Sequence, residues 1–421
     1  MIDHELRLML NNELHGRPGL PVNAPARITH LAFTLSEGDP APLAHVRSLC
    51  IGLGLRQPLP DALHHAVEMP DGLLKFERHG EFYRISVTTE GHNLKREAVS
   101  SLPENWVAEL PGKRLVAIHT HILAKADRSP SYPALIKLFG HDEIACSKVN
   151  QGKATVWTDF RLGKDGYTRV LIHDHGMSPM RMGRLTRRLH ELETYRMMAL
   201  LGLPLARQVQ RELGPLENAL SSTIAGMLSA KGSAEDNKLL DELMTLARDV
   251  EELSNRTSYR FSATRAYSAL VAKRVVELGE ERVLSYQRLG VFLDRRFSPA
   301  MATCTAVTER ISGLATRSER ASNLLRTRVD IMLETQNQQM LRSVEGNSSR
   351  QLLLQQTVEG LSVVAISYYG ISIAAKLIEG LATYLPWLDI KLAELVSIPV
   401  IIAAVSFGIW RVHHRLSNAK S

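Results

Sequence analysis

The sequence has few of the residues that mark secreted, zinc-binding or nucleic-acid-binding proteins. Its 421 residues include only three cysteines, Cys50, Cys146 and Cys304, which are too few and too isolated for a disulfide framework or a zinc site. Aromatic residues make up 5% of the chain, and no block of Lys and Arg is interleaved with them, so we expect no nucleic-acid partner. The first residues are charged and lack the apolar core of a signal peptide. We therefore expect most of the chain to lie in a reducing cytoplasm.

Charge is also missing from two long stretches near the C-terminus. Residues 360–375 and 395–410 contain no charged side chain, and with their flanks each approaches the ~20 apolar residues that cross a bilayer. The connector between them holds Tyr384, Pro386 and Trp387, which are typical of a turn at a membrane surface. The pattern predicts a two-helix transmembrane hairpin over 358–415. The alternative is a buried helical hairpin in a soluble protein.

Basic residues predict the orientation of this hairpin. Arg342 and Arg350 precede it and Arg411 and Arg415 lie at its end, while the connector offers only Lys391. By the positive-inside rule both termini are cytoplasmic. A formal net charge of +7 favours a body held near anionic lipid. We expect a multi-pass protein of the bacterial inner membrane, with the bilayer as a partner.

Residues 1–176 show the pattern of an α+β cytoplasmic domain. Helical periodicity is confined to 43–51, and a tight turn at His79-Gly80 joins two strand candidates. Alternating residues in 155–161 predict antiparallel strands with one covered face. The strand candidates of this largely antiparallel sheet are 27–35, 73–78, 81–88, 114–123, 143–150, 154–161 and 167–173.

Histidines are the main candidates for chemistry in this domain. His15 lies near Glu13 and Arg17, a set that fits either an active site or a turn that packs the N-terminal segment. The pairs 119/121 and 173/175 each place two histidines on one face of a strand, where a metal ion could be chelated. No further ligands follow at a recognisable spacing, and no nucleotide-binding, zinc-protease or nucleophile-elbow motif is present. We expect a protein that is not an enzyme, with no cofactor.

Residues 177–297 are predicted to form long antiparallel helices. Ser178 and Pro179 begin the first helix as N-cap and first-turn residue, and Gly202 ends it. Further helices are expected over 204–230, from Ser233 onward, and over 260–278 and 281–297. The basic residues of the first helix indicate a solvated face or, alternatively, contact with lipid headgroups or a neighbouring subunit; they are Arg181, Arg184, Arg187 and Arg188.

Residues 298–357 are predicted to form a stalk helix that begins at Ser298-Pro299 and continues into the hairpin. A heptad seam of mostly apolar residues runs along it, formed by Val307, Ile311, Leu314, Ser318, Ala321, Leu325 and Arg328. Uncharged polar residues then dominate 335–339 and 347–349. This change favours either the wall of a wet channel in a symmetric oligomer or an exposed stretch of a monomeric stalk.

Four segments resemble a bacterial family described as predicted membrane-anchored proteins, domain of unknown function 3422. They are 12–18, 76–83, 183–205 and 355–369. The resemblance spans nearly the whole chain. It implies no established activity.

The layout also resembles that of the CorA-type divalent cation channels. That resemblance implies a homopentamer whose first membrane helix lines a pore and carries a Tyr-Gly-Met-Asn signature. The nearest match here is 369–372, with Ile and Ser in place of Met and Asn, and Lys376 lies one turn later, where its charge opposes cation entry unless Glu379 pairs with it. The pore-lining candidates are Gln336, Asn337, Gln339, Asn347, Tyr369, Gly370 and Ser372.

Three functions are compatible with these observations. The first is a CorA-like homo-oligomeric channel or transporter that carries a divalent cation such as magnesium. The second is a membrane-anchored scaffold or sensor without transport. The third is an anchored enzyme with a site at His15. The first is our leading prediction, and the metal bound, if any, is left open.

Overall fold

A mixed β-sheet organises the first of the two units into which the chain divides. The computed structural model describes residues 3–7, 11, 19–36, 39–91, 96–230, 232–382 and 389–418. The first unit consists of Met1–Ala230 and Lys238–Asn323, and the second of Lys231–Asn237 and Leu324–Ser421.

The sheet contains nine strands within the described residues, in the order β2-β3-β4-β1-β5-β8-β7-β6-β9. Strands β5 and β8 are parallel, and the other neighbouring strands run antiparallel. The domain is therefore α/β with a mixed sheet, and the predicted antiparallel pairing holds everywhere but at this central pair. The strands are β1 Ala26–Thr34, β2 His64–Met69, β3 Gly72–Arg78, β4 Phe82–Glu90, β5 Lys113–Leu123, β6 Ala145–Val149, β7 Ala154–Thr158, β8 Thr168–Asp174 and β9 Glu281–Arg282.

The predicted hairpin at His79-Gly80 is confirmed, because Arg78 of β3 pairs with Tyr83 of β4. Strand β2 was not predicted, since its two histidines and Glu68 weaken the apolar pattern. The helix predicted over 281–297 is wrong in its first half. Gly279, with a φ of 57°, ends the preceding helix in the left-handed conformation that glycine favours. Arg282 of the edge strand β9 then pairs with Ser147 of β6.

Helices cover both faces of the sheet, so the predicted single covered face is wrong. Helices α1 Pro42–Gly52, α2 Glu104–Ala108 and α3 Tyr132–Phe139 lie on one face, where Val46 packs with Leu31 and Phe139 with Trp157. Helix α4 Pro179–Leu200 lies on the other. Every residue of β7 is consequently buried, including those whose alternation pointed to solvent.

Three long helices follow α4. They are α5 Gly202–Ser229, α6 Ser233–Leu278 and α7 Leu289–Ala382, which confirms the predicted helices from Pro204 and from Ser233. Helix α7 does not begin at Ser298-Pro299 as predicted, since Pro299 lies inside it. Phe292, Leu293 and Phe297 are buried upstream of the proline, and this burial outweighs the ~3 kcal/mol that an interior proline costs a helix.

The heptad seam is confirmed as a buried stripe of α7, because its members from Val307 to Leu325 are each less than 5% exposed. In the second unit, α7 continues to Ala382 and is followed by α8 Ile390–Asn418. Two stretches, the end of α7 and 391–411 of α8, are long and apolar enough to cross a membrane. Their large apolar side chains are exposed, Val364 and Leu395 each by 69%. The predicted connector residues 384, 386 and 387 lie outside the described residues.

Candidate functional site

A polar cavity lies between the sheet and helix α4 in the first unit. Strands β1, β3 and β4 form its floor, α4 forms its roof, and the segment 19–22 closes one side. Its volume is about 60 Å³, and since ~10–15 Å³ is enough for one water, it has room for a small cluster of waters or one small polar molecule. The lining side chains are Val22, Ile28, His30, Leu73, Lys75, Glu77, Arg84, Ser86, Thr88, Thr186, Arg187 and His190.

The cavity adjoins a wider surface depression of about 990 Å³. Leu20, Leu73 and Thr88 line both spaces. The cavity therefore has a route to solvent along the end of strand β4.

A close backbone approach holds the segment 19–22 against α4. The amide of Val22 donates to the carbonyl oxygen of Pro179 at 3.1 Å. Gly183 permits this contact, because a Cβ atom at that position would overlap the carbonyl oxygen of Leu20. The predicted candidates His15, Glu13 and Arg17 precede this segment and lie outside the described residues.

A buried ion network crosses from the sheet to α4. Arg84 donates from Nε to Glu77 Oε2 at 2.6 Å and from Nη2 to Glu191 Oε1 at 3.3 Å. Arg187 and Arg274 also donate to Glu191, at 2.7 and 2.6 Å. The side chains of Arg84 and Glu191 are only 4% and 2% exposed. Charged groups that are removed from water in this way need oppositely charged partners, and Arg84 and Glu191 each pair with such groups.

The charges of this network are fixed near neutral pH. Burial alone would raise the pKa of Glu77, but the nearby Arg84 and Lys75 outweigh it and lower that pKa to about 2. The pKa of Glu191 is lowered in the same way, with burial opposing Arg84 and Arg187. Burial lowers the pKa of Lys75 from its usual value. Both carboxyl groups are therefore carboxylates that can only accept hydrogen bonds.

Two stacked histidines form the end of the cavity beside Arg84. The rings of His30 and His190 lie 4.6 Å apart. His190 Nε2 is 2.8 Å from Thr120 Oγ1, and His30 Nδ1 is 2.8 Å from Ser86 Oγ. Burial, reinforced by Arg84, lowers the pKa of His190 to about 3, and burial also lowers that of His30. The pair is therefore neutral at pH 7 and adds hydrogen-bonding capacity without charge.

The buried carboxylate of Glu77 faces the cavity. Its Oε1 lies 3.2 Å from the ammonium of Lys75 as an ion pair, and Oε2 accepts from Arg84 at 2.6 Å. A carboxylate oxygen has two lone-pair sites, so Oε1 can also accept from a donor in the cavity.

The predicted basic face of α4 divides into two parts. Arg181 and Arg184 are exposed, as a solvated face requires. Arg187 instead lines the cavity, and Arg188 lies 3.5 Å from Glu277 of α6. The solvated reading is wrong for these last two, because Arg187 pairs with the buried Glu191 on α4 itself and α6 supplies the acidic partner of Arg188.

In each predicted pair the two histidines lie close together, and those of the first pair share one acidic neighbour. His121 Nε2 is 3.0 Å from Glu97, and His119 Nδ1 is 3.6 Å from the same carboxylate. Burial lowers the pKa of His119 to about 4. The rings of His173 and His175 are 4.7 Å apart. Within the described part of the chain, no three His, Cys, Asp or Glu residues are arranged to hold a metal ion.

The predicted pore-lining residues lie on α7 in the second unit. Six of them are exposed in the single chain, namely Gln336, Asn337, Gln339, Asn347, Tyr369 and Ser372. Residues 336, 347 and 372 share one side, because about three and ten turns separate the later two from the first at 3.6 residues per turn. Their role in a path depends on assembly and stays a prediction.

Gly370 lies on a different side of α7 from Ser372. A Cβ atom at residue 370 would come within 2.9 Å of Ile401 Cγ2 on α8. Ser367, one turn earlier, is buried, and its hydroxyl has no hydrogen-bond partner among the described residues. Gly370 therefore allows α7 and α8 to pack closely within this unit.

Residues of the cavity were missed by the sequence analysis because they come from distant segments. Arg84 and Glu191 are 107 positions apart. A usable signal was nevertheless present, since segments 76–83 and 183–205, which carry the family resemblance, supply Glu77 of the floor and much of the roof.

A protein-family model described as a protein of unknown function (DUF3422) matches residues 2–416. The chain belongs to the DUF3422 family. This confirms the resemblance to domain of unknown function 3422. None of the curated proteins compared with the chain matches it. The DUF3422 description names no activity, so a function has to be argued from the residues of the chain itself.

Proposed function

We propose that this DUF3422 protein is a membrane-anchored receptor. Its two C-terminal helices hold it in the bacterial inner membrane, and the polar cavity of its first unit takes a small polar ligand from the cytoplasm. This is the sensor alternative drawn from the sequence. The flanking basic residues favour both termini on the cytoplasmic side.

The proposed anchor rests on exposed apolar surface. Leu361 is 73% exposed, and Leu395 and Val400 are 69% and 60% exposed. Monomeric soluble proteins rarely leave so continuous an apolar surface in water. Burying such side chains in hydrocarbon stabilises the chain by ~25 cal/mol per Å². The bilayer is the partner that fits both the length and the composition of the two helices.

The observation that carries the receptor proposal is the polar cavity with a route to solvent, in which the carboxylate of Glu77 and the ammonium of Lys75 face the same space. The opposite oxygen of Glu77 is held by Arg84. A small cavity with a few convergent polar groups is typical of a ligand site. A ligand with a hydrogen-bond donor would complete the site.

A ligand screen on the full chain in detergent tests this proposal. The melting temperature is measured against a panel of small anions, sugars, amino acids and nucleotides, for the wild type and for Thr186→Leu. Thr186 lines the cavity, and its hydroxyl donates to the local carbonyl of Gly183, so leucine fills the space while α4 is retained. We expect at least one compound to raise the melting temperature of the wild type alone. Equal responses of both proteins to the whole panel would contradict the proposal.

A second candidate is the CorA-like homo-oligomeric cation channel, with a pentamer as the assembly that the resemblance implies. It is favoured by the exposed polar face of α7 that includes Gln336, Asn347 and Ser372. Amide and hydroxyl oxygens on one face can replace waters around a hydrated cation such as magnesium. Lys376 on the same helix opposes a cation path, which is why we place this function second.

Flux measurements on reconstituted vesicles test the channel. A channel predicts magnesium flux that falls when Gln336→Leu and Ser372→Leu are combined, with Ser349→Leu as a control elsewhere on the stalk. A monomer by mass measurement, or equal flux in protein-free vesicles, would contradict the channel and leave the receptor proposal intact.

A further inference from the structure

The stalk part of helix α7 carries an apolar seam that the described part of the chain leaves uncovered. All 26 residues from 333 to 358 are exposed. Along them, residues recur at alternating steps of four and three, which is the heptad spacing of a coiled coil. We call this set the stalk seam, and its members are Leu333, Asn337, Met340, Val344, Asn347, Gln351, Leu354, Val358 and Leu361. Its six apolar members are each at least 52% exposed.

We propose that the stalk seam joins two copies of the chain in a parallel two-stranded coiled coil. This inference goes beyond the receptor function and rests on the membrane anchor that is part of it. A two-stranded coil has no lumen. The predicted pore-lining residues Asn337 and Asn347 therefore lie in the contact between two helices rather than along a path for ions.

The stalk needs a partner because a helix that is surrounded by water has little to stabilise it. Helices in proteins obtain most of their stability from the packing of one face. A lone helix can rely instead on many ion pairs along its surface, but 333–358 contains only four charged residues, Glu334, Arg342, Glu345 and Arg350. Gly346 lies in the middle of the stalk and weakens the helix further. A second helix on the stalk seam supplies the missing packing.

The heptad positions of the seam indicate a second copy in parallel orientation. The a positions hold Asn337, Val344, Gln351 and Val358, and the d positions hold Leu333, Met340, Asn347, Leu354 and Leu361. Valine at a with leucine at d favours two parallel strands. In a parallel pair that is in register, each residue of the seam faces the same residue of the other copy.

The amides of the seam select a partner that carries amides at the same heights. An asparagine side chain has two N–H donors and a carbonyl acceptor, so Asn337 can bond with Asn337 of a second copy. An unrelated apolar helix or a lipid chain offers no such partner. An asparagine at an a position also fixes the register and the number of strands, at some cost in stability.

The anchor and the flanking charges are compatible with this arrangement. Both copies continue from the stalk into the same bilayer, so the two stalks run in the same direction and their seams lie at the same height. The flanking e and g positions from 334 to 357 include only two charged residues, Glu334 at e and Arg350 at g. Because an e position lies beside a g position of the other strand, neither charge faces its own copy.

Mass measurement of the full chain in detergent and in lipid nanodiscs tests the number of copies, and we expect two. Val344→Lys places two like charges against each other in the contact and should raise the dissociation constant of the dimer on the order of tenfold. Val344 is 57% exposed in the single chain, so folding of each copy should be unaffected. Ser349→Lys, at the f position on the opposite side of the stalk, is the matched control and should leave the dissociation constant unchanged.

Mixed charges and cross-linking test the register. An equal mixture of Val344→Lys and Val344→Glu chains should restore the dimer, since the two substituted residues face each other in a parallel pair. Oxidation of Val344→Cys should give about fivefold more cross-linked dimer than oxidation of Ser349→Cys, because only the seam brings two copies of one residue together. The wild type is the blank, and its three cysteines are buried.

The results that overturn the inference differ from those that overturn the receptor. A wild type that is monomeric in both detergent and nanodiscs would overturn the dimer. Five copies would overturn the two-stranded coil and favour the channel. Equal cross-linking at 344 and 349, or no recovery with mixed charges, would overturn the parallel register. The receptor fails on a separate measurement, the ligand screen with Thr186→Leu, which the substitutions in the stalk do not affect.

Discussion

Each of the two units departs from the usual rule that charged side chains are exposed and apolar side chains are buried. The first unit buries charge, since the side chains of Arg84 and Glu191 are 4% and 2% exposed. The second unit exposes apolar surface, since Val364 and Leu395 are each 69% exposed. Buried charge requires partners inside the protein, and exposed apolar surface requires partners outside it. The two units therefore differ in where their partners lie, and under the proposed function the first takes a polar ligand and the second takes lipid.

Removing the carboxylate at the centre of the ion network should have the largest effect on stability. Glu191→Ala leaves Arg84, Arg187 and Arg274 without their shared partner, and breaking a buried pair in this way costs ~3–5 kcal/mol. The free energy of unfolding from denaturant titration measures the loss. Glu252→Ala, at an exposed position of α6, is the control, with an expected change within ~0.5 kcal/mol. Equal effects of the two substitutions would show that the network is not buried.

Charges placed on the exposed apolar surface should act on membrane insertion. Val364→Lys and Ile402→Lys each put a charge near the middle of a proposed span, at a cost of ~2.5–3.5 kcal/mol for insertion. The fraction of protein that stays with membranes after alkaline extraction should fall for both variants, and fall further for the double variant. Val364→Leu should match the wild type. Full retention of the double variant would contradict the anchor.

Closing the gap between α4 and the segment 19–22 should disturb the cavity wall. Gly183→Ala forces its new methyl group against the carbonyl oxygen of Leu20, and overpacking of this kind costs ~1–3 kcal/mol. Gly214→Ala on α5 is a matched control, because no atom lies within 4 Å of its added Cβ, and it should stabilise the helix by up to ~1 kcal/mol. A lower melting temperature for Gly183→Ala and a higher one for Gly214→Ala would confirm the close contact between α4 and the segment 19–22. Shifts of the same sign would argue against it.

Acid should destabilise the first unit in two steps. The pKa of His190 is about 3 in the folded chain and near 6.5 when unfolded, so the unfolded state binds more protons below pH 6.5 and stability falls as pH decreases. Each such group contributes a slope of up to ~1.4 kcal/mol per pH unit. Glu77, with a pKa of about 2, adds a further loss as pH falls below its unfolded value near 4.3. The stability curves of the wild type and His190→Gln should differ in slope between about pH 4 and 6.5 and run parallel above about pH 7.5. Identical slopes between about pH 4.5 and 6.5 would refute the first step.

The sequence allowed most of the elements to be predicted, because these depend on local patterns. The strands from β3 to β8 and the start of α4 at Ser178-Pro179 follow from turn residues and capping chemistry. The start of α7 was wrong because buried aromatic residues upstream overrode Pro299. The parallel pair β5 and β8 is formed by segments far apart in the chain, and no local pattern reports such pairing.

The cavity could not be predicted for a similar reason. Glu191 lies on α4, where an apolar stripe led to the helix prediction and only the basic residues were assigned to a solvated face. Its partners Arg84 and Arg274 belong to β4 and α6, so the network exists only once the chain has folded. The polar face of the stalk, in contrast, could be predicted because all its residues belong to one helix. The 3.6-residue repeat alone places Gln336, Asn347 and Ser372 on the same side.

Native mass spectrometry of the full chain released from lipid nanodiscs tests the account most directly. We predict that the wild type carries retained lipid and a bound small molecule, and that Thr186→Leu carries the lipid without the small molecule. If wild type and variant each appear at the mass of the bare polypeptide, free of lipid and ligand, the account is contradicted.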